Sequence, residues 1–152
     1  LRFGRPSVPN FTEADGKFEI GKALHLVEGS DVTILATGHL VWHALEAAEA
    51  LEEKGISAEV INIHTIKPLD DEAILNSIKK TRCVVTCEEH NYLGGLGESV
   101  SGLLAKNDPV YQEFVATNDT FGESGTPAQL MEKYGLNTKS IVEAVNRVLA
   151  KK

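Results

Sequence analysis

Cysteine is nearly absent from this 152-residue chain, which has only Cys83 and Cys87. On one strand the two stand four rises of about 3.3 Å apart, roughly 13 Å, beyond the reach of a disulfide. With no Cys-x-x-Cys spacing and no further ligands beside them, they read as reduced, buried thiols and not as a metal or redox centre. Positive charge is scarce too. Fifteen Lys and Arg face 22 Asp and Glu, for a net charge of −7, and the cations are scattered. The basic footprint of a nucleic-acid or anionic-membrane binder is therefore missing. No apolar run approaches the roughly 20 residues of a membrane span, and the opening Leu1-Arg-Phe-Gly-Arg-Pro6 has no signal-peptide core. The expectation is a soluble, cytoplasmic protein with neither nucleic acid nor membrane as partner. Repeats and low-complexity stretches are absent, and the chain starts without Met. It is expected to be a fragment or processed product that folds as one compact domain.

What is present is a regular exchange of strand and helix patterns. Residues 1–19, with Gly4, Pro6, Pro9 and Gly16, read as a linker, and the organised domain is placed at 20–152. Lys22 to Val27 is strand-like, and Val32 to Ala36 is a second, apolar strand buried on both faces. A helical stripe follows through Val41, Ala44, Leu45, Ala48 and Leu51, stopped at Gly55. Ala58 to Asn62 is the next strand, and Asp70 is the N-cap of a helix over Asp71 to Lys80. Strand Cys83–Cys87, a helix from Leu96 to Lys106 and a strand around Gln112–Ala116 continue the rhythm. Thr126-Pro127-Ala128-Gln129 has the residues of a capping box, and a last helix starts near Asn137 or Thr138. The sum is a mostly parallel sheet covered by helices.

The segment from Val85 to Val100 carries the most information. An apolar strand runs into Glu88-Glu-His-Asn-Tyr92 and then into Gly94, Gly95 and Gly97 at a helix start, where α/β sheets place ligands or partners. The glycines either allow close helix-to-sheet packing or open amides to an anion, and the two readings stand side by side. His90 lies in a cluster able to bind a polar substrate or move protons. His39 and His43 are four apart, but Leu40 stands where a metalloprotease needs its glutamate, so no metal ligands are assigned. His64 reads as a loop histidine and His25 as structural. Gly97-Glu98-Ser99-Val100 does not complete a nucleophile elbow, and Gly95-Leu96-Gly97 lacks the third glycine of a dinucleotide fingerprint.

Four motifs occur in order: Gly29-Ser-Asp-Val-Thr-Ile-Leu-Ala-Thr-Gly38, Val60-Ile-Asn-Ile-His-Thr-Ile-Lys-Pro-Leu69, Glu88-Glu-His-Asn-Tyr-Leu-Gly-Gly-Leu-Gly97 and Phe121-Gly-Glu-Ser-Gly125. Together with Tyr134-Gly-Leu136, this order resembles the C-terminal domain of transketolases, particularly the C-terminal section of the split type. The resemblance implies a three-layer α/β/α domain with a mixed, mostly parallel five-stranded sheet, one strand being antiparallel. It also implies a place in a cytoplasmic, homodimeric enzyme of the pentose phosphate pathway. Such enzymes move two-carbon ketol units between sugar phosphates with thiamine diphosphate and Mg2+. In the family the cofactor sits between a diphosphate-binding and a pyrimidine-binding domain. The Gly-Asp-Gly motif and activating glutamate of those domains have no counterpart here, so this chain supplies no catalytic, cofactor or metal residue and is expected to be inactive without the remaining domains or subunit. Leu1 to Pro6 resembles the end of the pyrimidine-binding domain, which makes Arg5 the candidate for substrate phosphate. His90 is the second candidate for substrate contact. Two alternatives stay open. One is the similar domain of a 2-oxoacid dehydrogenase beta subunit or deoxyxylulose-phosphate synthase, and the other is a non-enzymatic module binding an anion or a protein.

Overall fold

The computed structural model describes residues 8–152. Ten elements follow in order: β1 (Leu24–Val27), β2 (Val32–Ala36), α1 (Leu40–Glu52), β3 (Ala58–Asn62), α2 (Asp71–Thr81), β4 (Cys83–Asn91), α3 (Leu96–Asn107), β5 (Tyr111–Thr117), α4 (Pro127–Lys133) and α5 (Thr138–Leu149). The strands form one sheet in the order β1-β3-β2-β4-β5. All neighbours are parallel except β1, which runs against β3 with Leu24 opposite Asn62. This is the mixed, mostly parallel sheet expected.

Alternation along the strands feeds two cores. Val32, Ile34 and Ala36 of β2 and Val85 of β4 pack with Leu40, Ala44 and Leu51 of α1 and with Ile141, Val145 and Val148 of α5. Leu35, Ile61 and Val84 turn the other way, against Ile74 and Ile78 of α2 and Leu96 and Val100 of α3. Helices on both faces make three layers, and β2 and β3 are buried at every residue. Burial of two large apolar faces supplies most of the fold's stabilisation.

The helix boundaries have local causes. Asp70 caps α2 by accepting from the Ala73 amide at 3.3 Å, and its other oxygen accepts from the Ala23 amide at 2.9 Å, which anchors the segment entering β1. Thr126 and Gln129 form the complete capping box of α4. Asn137 caps α5 through the Ser140 amide.

Two strand boundaries differ from the sequence pattern by two residues or more. β1 starts at Leu24 instead of Lys22, because Gly21 turns with φ +85° beside Pro68. β4 continues through Glu88-Glu-His-Asn91, past the end at Cys87 that the apolar run predicts. Its partner strand carries it there: after a register shift Asn91 again faces Thr117, and the Tyr92 amide donates to the Thr117 carbonyl at 3.1 Å. Cross-strand pairing thus overrides a residue composition poor in strand formers. Polar side chains also lie under α2. Thr33 of β2 bonds Ser77 and Thr81 at 2.5 and 2.6 Å, and Glu59 of β3, 2% exposed, accepts from Ser77 and from Lys80 at 3.1 Å.

Candidate functional site

β2 and β4 are neighbours, but β2 leads into α1 on one face of the sheet while β4 leads into α3 on the other. Their carboxyl ends therefore flank a topological switch point, the place where open α/β sheets leave a crevice. Thr37-Gly38-His39 follows β2 and Glu88-Glu-His-Asn91 closes β4. The Thr37 amide donates to the Cys87 carbonyl at 3.0 Å, continuing the ladder into the loops. His39 Nδ1 meets Glu89 Oε2 at 3.0 Å, so one carboxylate–imidazole pair spans the switch point, with both side chains partly open to solvent.

Glu88 points the opposite way and is 1% exposed. Its two oxygens accept from the Leu96 and Gly97 amides at 2.8 Å each. The carboxylate thereby fills the amino end of α3, where free amides and the helix dipole favour negative charge. This decides between the two readings of the glycines. A Cβ on Gly95 would collide with the Glu88 carboxylate, and one on Gly97 would approach the Phe114 ring to 2.5 Å. The glycines permit close packing, and the amides an external anion would need are already occupied.

His90 is exposed, and its Nδ1 lies 2.8 Å from the Asn91 carbonyl oxygen. A carbonyl only accepts, so Nδ1 carries the proton in this contact and Nε2 takes no part in it. Asn91 donates to Asp119 at 2.8 Å and accepts from the Leu93 amide at 2.9 Å, holding the β4 and β5 loops together. Cys87 adjoins this group, but burial, followed by the charge of Glu88, pushes its thiol far above the ordinary range. It is no nucleophile at neutral pH.

The other histidines separate. His39 lies just before α1 and joins Glu89, whereas His43 lies 3.2 Å from Glu46 and 3.0 Å from Thr138, tying α1 to α5. They share no site. His64 packs on Phe18 with ring centroids 4.5 Å apart. His25, Glu28 and Glu59 each bring a ligand atom within 4.8 Å of the others, a spacing a metal could use. Lys80 already pairs with both of its carboxylates, 3.1 Å from Glu59 and 3.5 Å from Glu28. Arg5 lies outside the described residues.

The loops at this end of the sheet also carry exposed apolar side chains. Ile66 follows β3, Tyr92 and Leu93 follow β4, and Phe121 follows β5 with 97% of its surface open. Phe18 and Ile20, about 70% exposed, precede the antiparallel β1 and so reach the same end beside β3. Such a concentration of large exposed apolar groups marks an interaction surface. The pairing of His39 with Glu89 and this rim escaped the sequence reading. The available signal was that Thr37-Gly38-His39 and Glu88-Glu89-His90 both leave the ends of buried strands.

A family model described as the C-terminal domain of transketolase matches residues 21–141. The chain is 49% identical over 148 residues to a 6-deoxy-6-sulfo-D-fructose transketolase subunit of Clostridium sp. (strain MSTE9), covering 97% of this chain and 46% of that protein. It is 43% identical over 141 residues to a putative transketolase C-terminal section of Methanocaldococcus jannaschii, covering 91% and 43%. The chain thus spans less than half the length of these relatives. A solved split-gene transketolase, described as an inactive beta4 tetramer, superposes with a TM-score of 0.93 at 44% identity, over 96% of this chain and 48% of that one.

Proposed function

Since this chain belongs to the transketolase C-terminal domain family, we propose that it completes a thiamine-diphosphate enzyme transferring two-carbon ketol units between sugar phosphates, and that it acts by docking onto the remaining sections. The observation that carries this reading is the apolar rim at the carboxyl end of the sheet: Phe18, Ile20, Ile66, Leu93 and Phe121 are open, and the segment leading in from upstream arrives at the same end. Large exposed apolar groups gathered at one end cost free energy unless another surface covers them. We assign residues 1–19 to the linker and the tail of a preceding pyrimidine-binding domain, residues 20–152 to the docking domain, and the complete enzyme to a cytoplasmic homodimer.

Thiamine diphosphate and its Mg2+ do not fit the described residues. The glycine-rich start of α3, the natural anion seat, is filled by Glu88, and Lys80 already pairs with both carboxylates of the His25, Glu28 and Glu59 cluster. The cofactor belongs to the other sections. The part proposed for this chain is to hold the assembly and to orient substrate, Arg5 as a bidentate partner for a phosphate group and His90 through Nε2.

The test is to purify this chain with the section preceding it and the diphosphate-binding section, then to assay ketol transfer with thiamine diphosphate, Mg2+ and sugar phosphates. Transfer should require all the parts. A complex that forms and stays inactive on every sugar phosphate would overturn the reading. In an active assembly Arg5→Ala should raise KM for the sugar phosphate by about tenfold or more, as loss of a charged hydrogen-bond pair implies, with thiamine diphosphate affinity unchanged. An unchanged KM would remove Arg5 from the site.

A further inference from the structure

A cleft of about 630 Å³ opens at the β1 edge of the molecule, between the end of β1, the flank of α1 and the turn entering β3. It lies away from the apolar rim. Val27, Leu45 and Ile56 contribute apolar side chains, and Trp42, the one tryptophan in the chain, stands in the wall. Glu28, Glu46, Glu49 and Glu52 also line it, and among the described residues no Lys, Arg or His does.

The four carboxylates are not equally engaged. Glu46 accepts from Trp42 Nε1 at 2.9 Å and from Thr138 at 2.6 Å, which fixes the indole. Glu28 is 82% exposed and meets Lys80 at a loose 3.5 Å. Among the described residues Glu49 and Glu52, both exposed, have no ion-pair partner. A cleft lined by one sign of charge concentrates its field, attracting cations and repelling anions. An indole beside carboxylates adds a preference for Lys or Arg over a simple ion. The volume and the apolar lining demand more than an amine, because a small cation would leave the hydrophobic surface wet.

We propose that this cleft docks an extended basic segment of a partner polypeptide, with an apolar side chain on Val27, Leu45 and Ile56 and flanking Lys or Arg side chains against Trp42, Glu49 and Glu52. Charge complementarity selects the occupant, and acidic segments are repelled.

A fluorescein-labelled hexapeptide of lysines around one leucine and one phenylalanine, and its glutamate counterpart, should be titrated against the protein in the assembly in which it purifies, with anisotropy as the readout. The lysine peptide should bind saturably and the glutamate peptide should not. Affinity should fall about tenfold or more between roughly 20 mM and 200 mM salt, since exposed charge pairs are screened. The Glu49→Gln/Glu52→Gln variant should lose about tenfold in affinity with its melting temperature unchanged, both side chains being exposed. Absent or equal binding of the two peptides, undiminished binding by the double variant, or displacement by spermine at matching concentration would each overturn the proposal.

Discussion

Glu88 shows how one side chain settles the character of a motif. Its carboxylate is buried and accepts two amides of α3, so Glu88→Ala leaves the Leu96 and Gly97 donors buried without partners. The expected loss is about 2–4 kcal/mol in chemical denaturation, the sum of a missing cap and unsatisfied buried donors. A loss under about 0.5 kcal/mol would mean that water replaces the carboxylate. Gly95→Val is expected to lower the melting temperature for the complementary reason, since its Cβ would enter the space of the same carboxylate. An unaltered melting temperature would show that the loop can move away. The glycines were legible in the sequence as a place of close approach. What approaches them was not, because Glu88 reaches Gly97 across nine positions of chain through a loop whose path depends on β4 and β5 pairing.

Elements add a second layer. Glu113 of β5 accepts from Arg147 of α5 at 2.9 Å and from Lys151 beyond it at 2.6 Å, tying the edge strand to the last helix. Partial burial raises its pKa, but the bonds from Lys151 and Arg147 outweigh this and hold the group below its ordinary 4.5. A carboxylate with a depressed folded pKa contributes its full stabilisation above the unfolded value and loses it as pH falls through the folded one. The melting temperature of Glu113→Gln should therefore lie below that of the parent at pH 7, and the difference should close on acidification below about pH 4. Both cations are half exposed, so the tie is worth no more than about 1 kcal/mol. A gap that persists at pH 2 would point to packing as its cause. Element existence was largely legible: β2 and β3 coincide with the strands expected at Val32–Ala36 and Ala58–Asn62, and α2, α4 and α5 start at their capping residues. The extra turn of strand in β4 was not, since nothing within Glu88-Glu-His-Asn91 favours a strand until Thr117 is beside it.

At the scale of the whole molecule, two surfaces of different chemistry lie apart: the apolar rim at the carboxyl end of the sheet and the acidic cleft beside β1. Replacing Leu93 and Phe121 together by serine should leave the melting temperature within a degree or two, because both are exposed already. Co-purification with the preceding section should drop at least about tenfold if those side chains are anchors. Full recovery of the complex would move the docking surface elsewhere. Charge and composition excluded a basic binding face from the sequence alone, but they could not foretell that carboxylates on α1 and at the end of β1 converge on one cleft.

The reversed direction of β1 has a consequence for assembly. Because β1 opposes its neighbours, the backbone enters the sheet at Leu24, beside Asn62 at the carboxyl end of β3, and Phe18 is already against His64 there. A section joined upstream through a short connection would be held near the rim at an effective concentration on the order of millimolar. Cutting that connection would remove no contact from the rim. It would turn docking from an event independent of protein concentration into one that dilution can reverse.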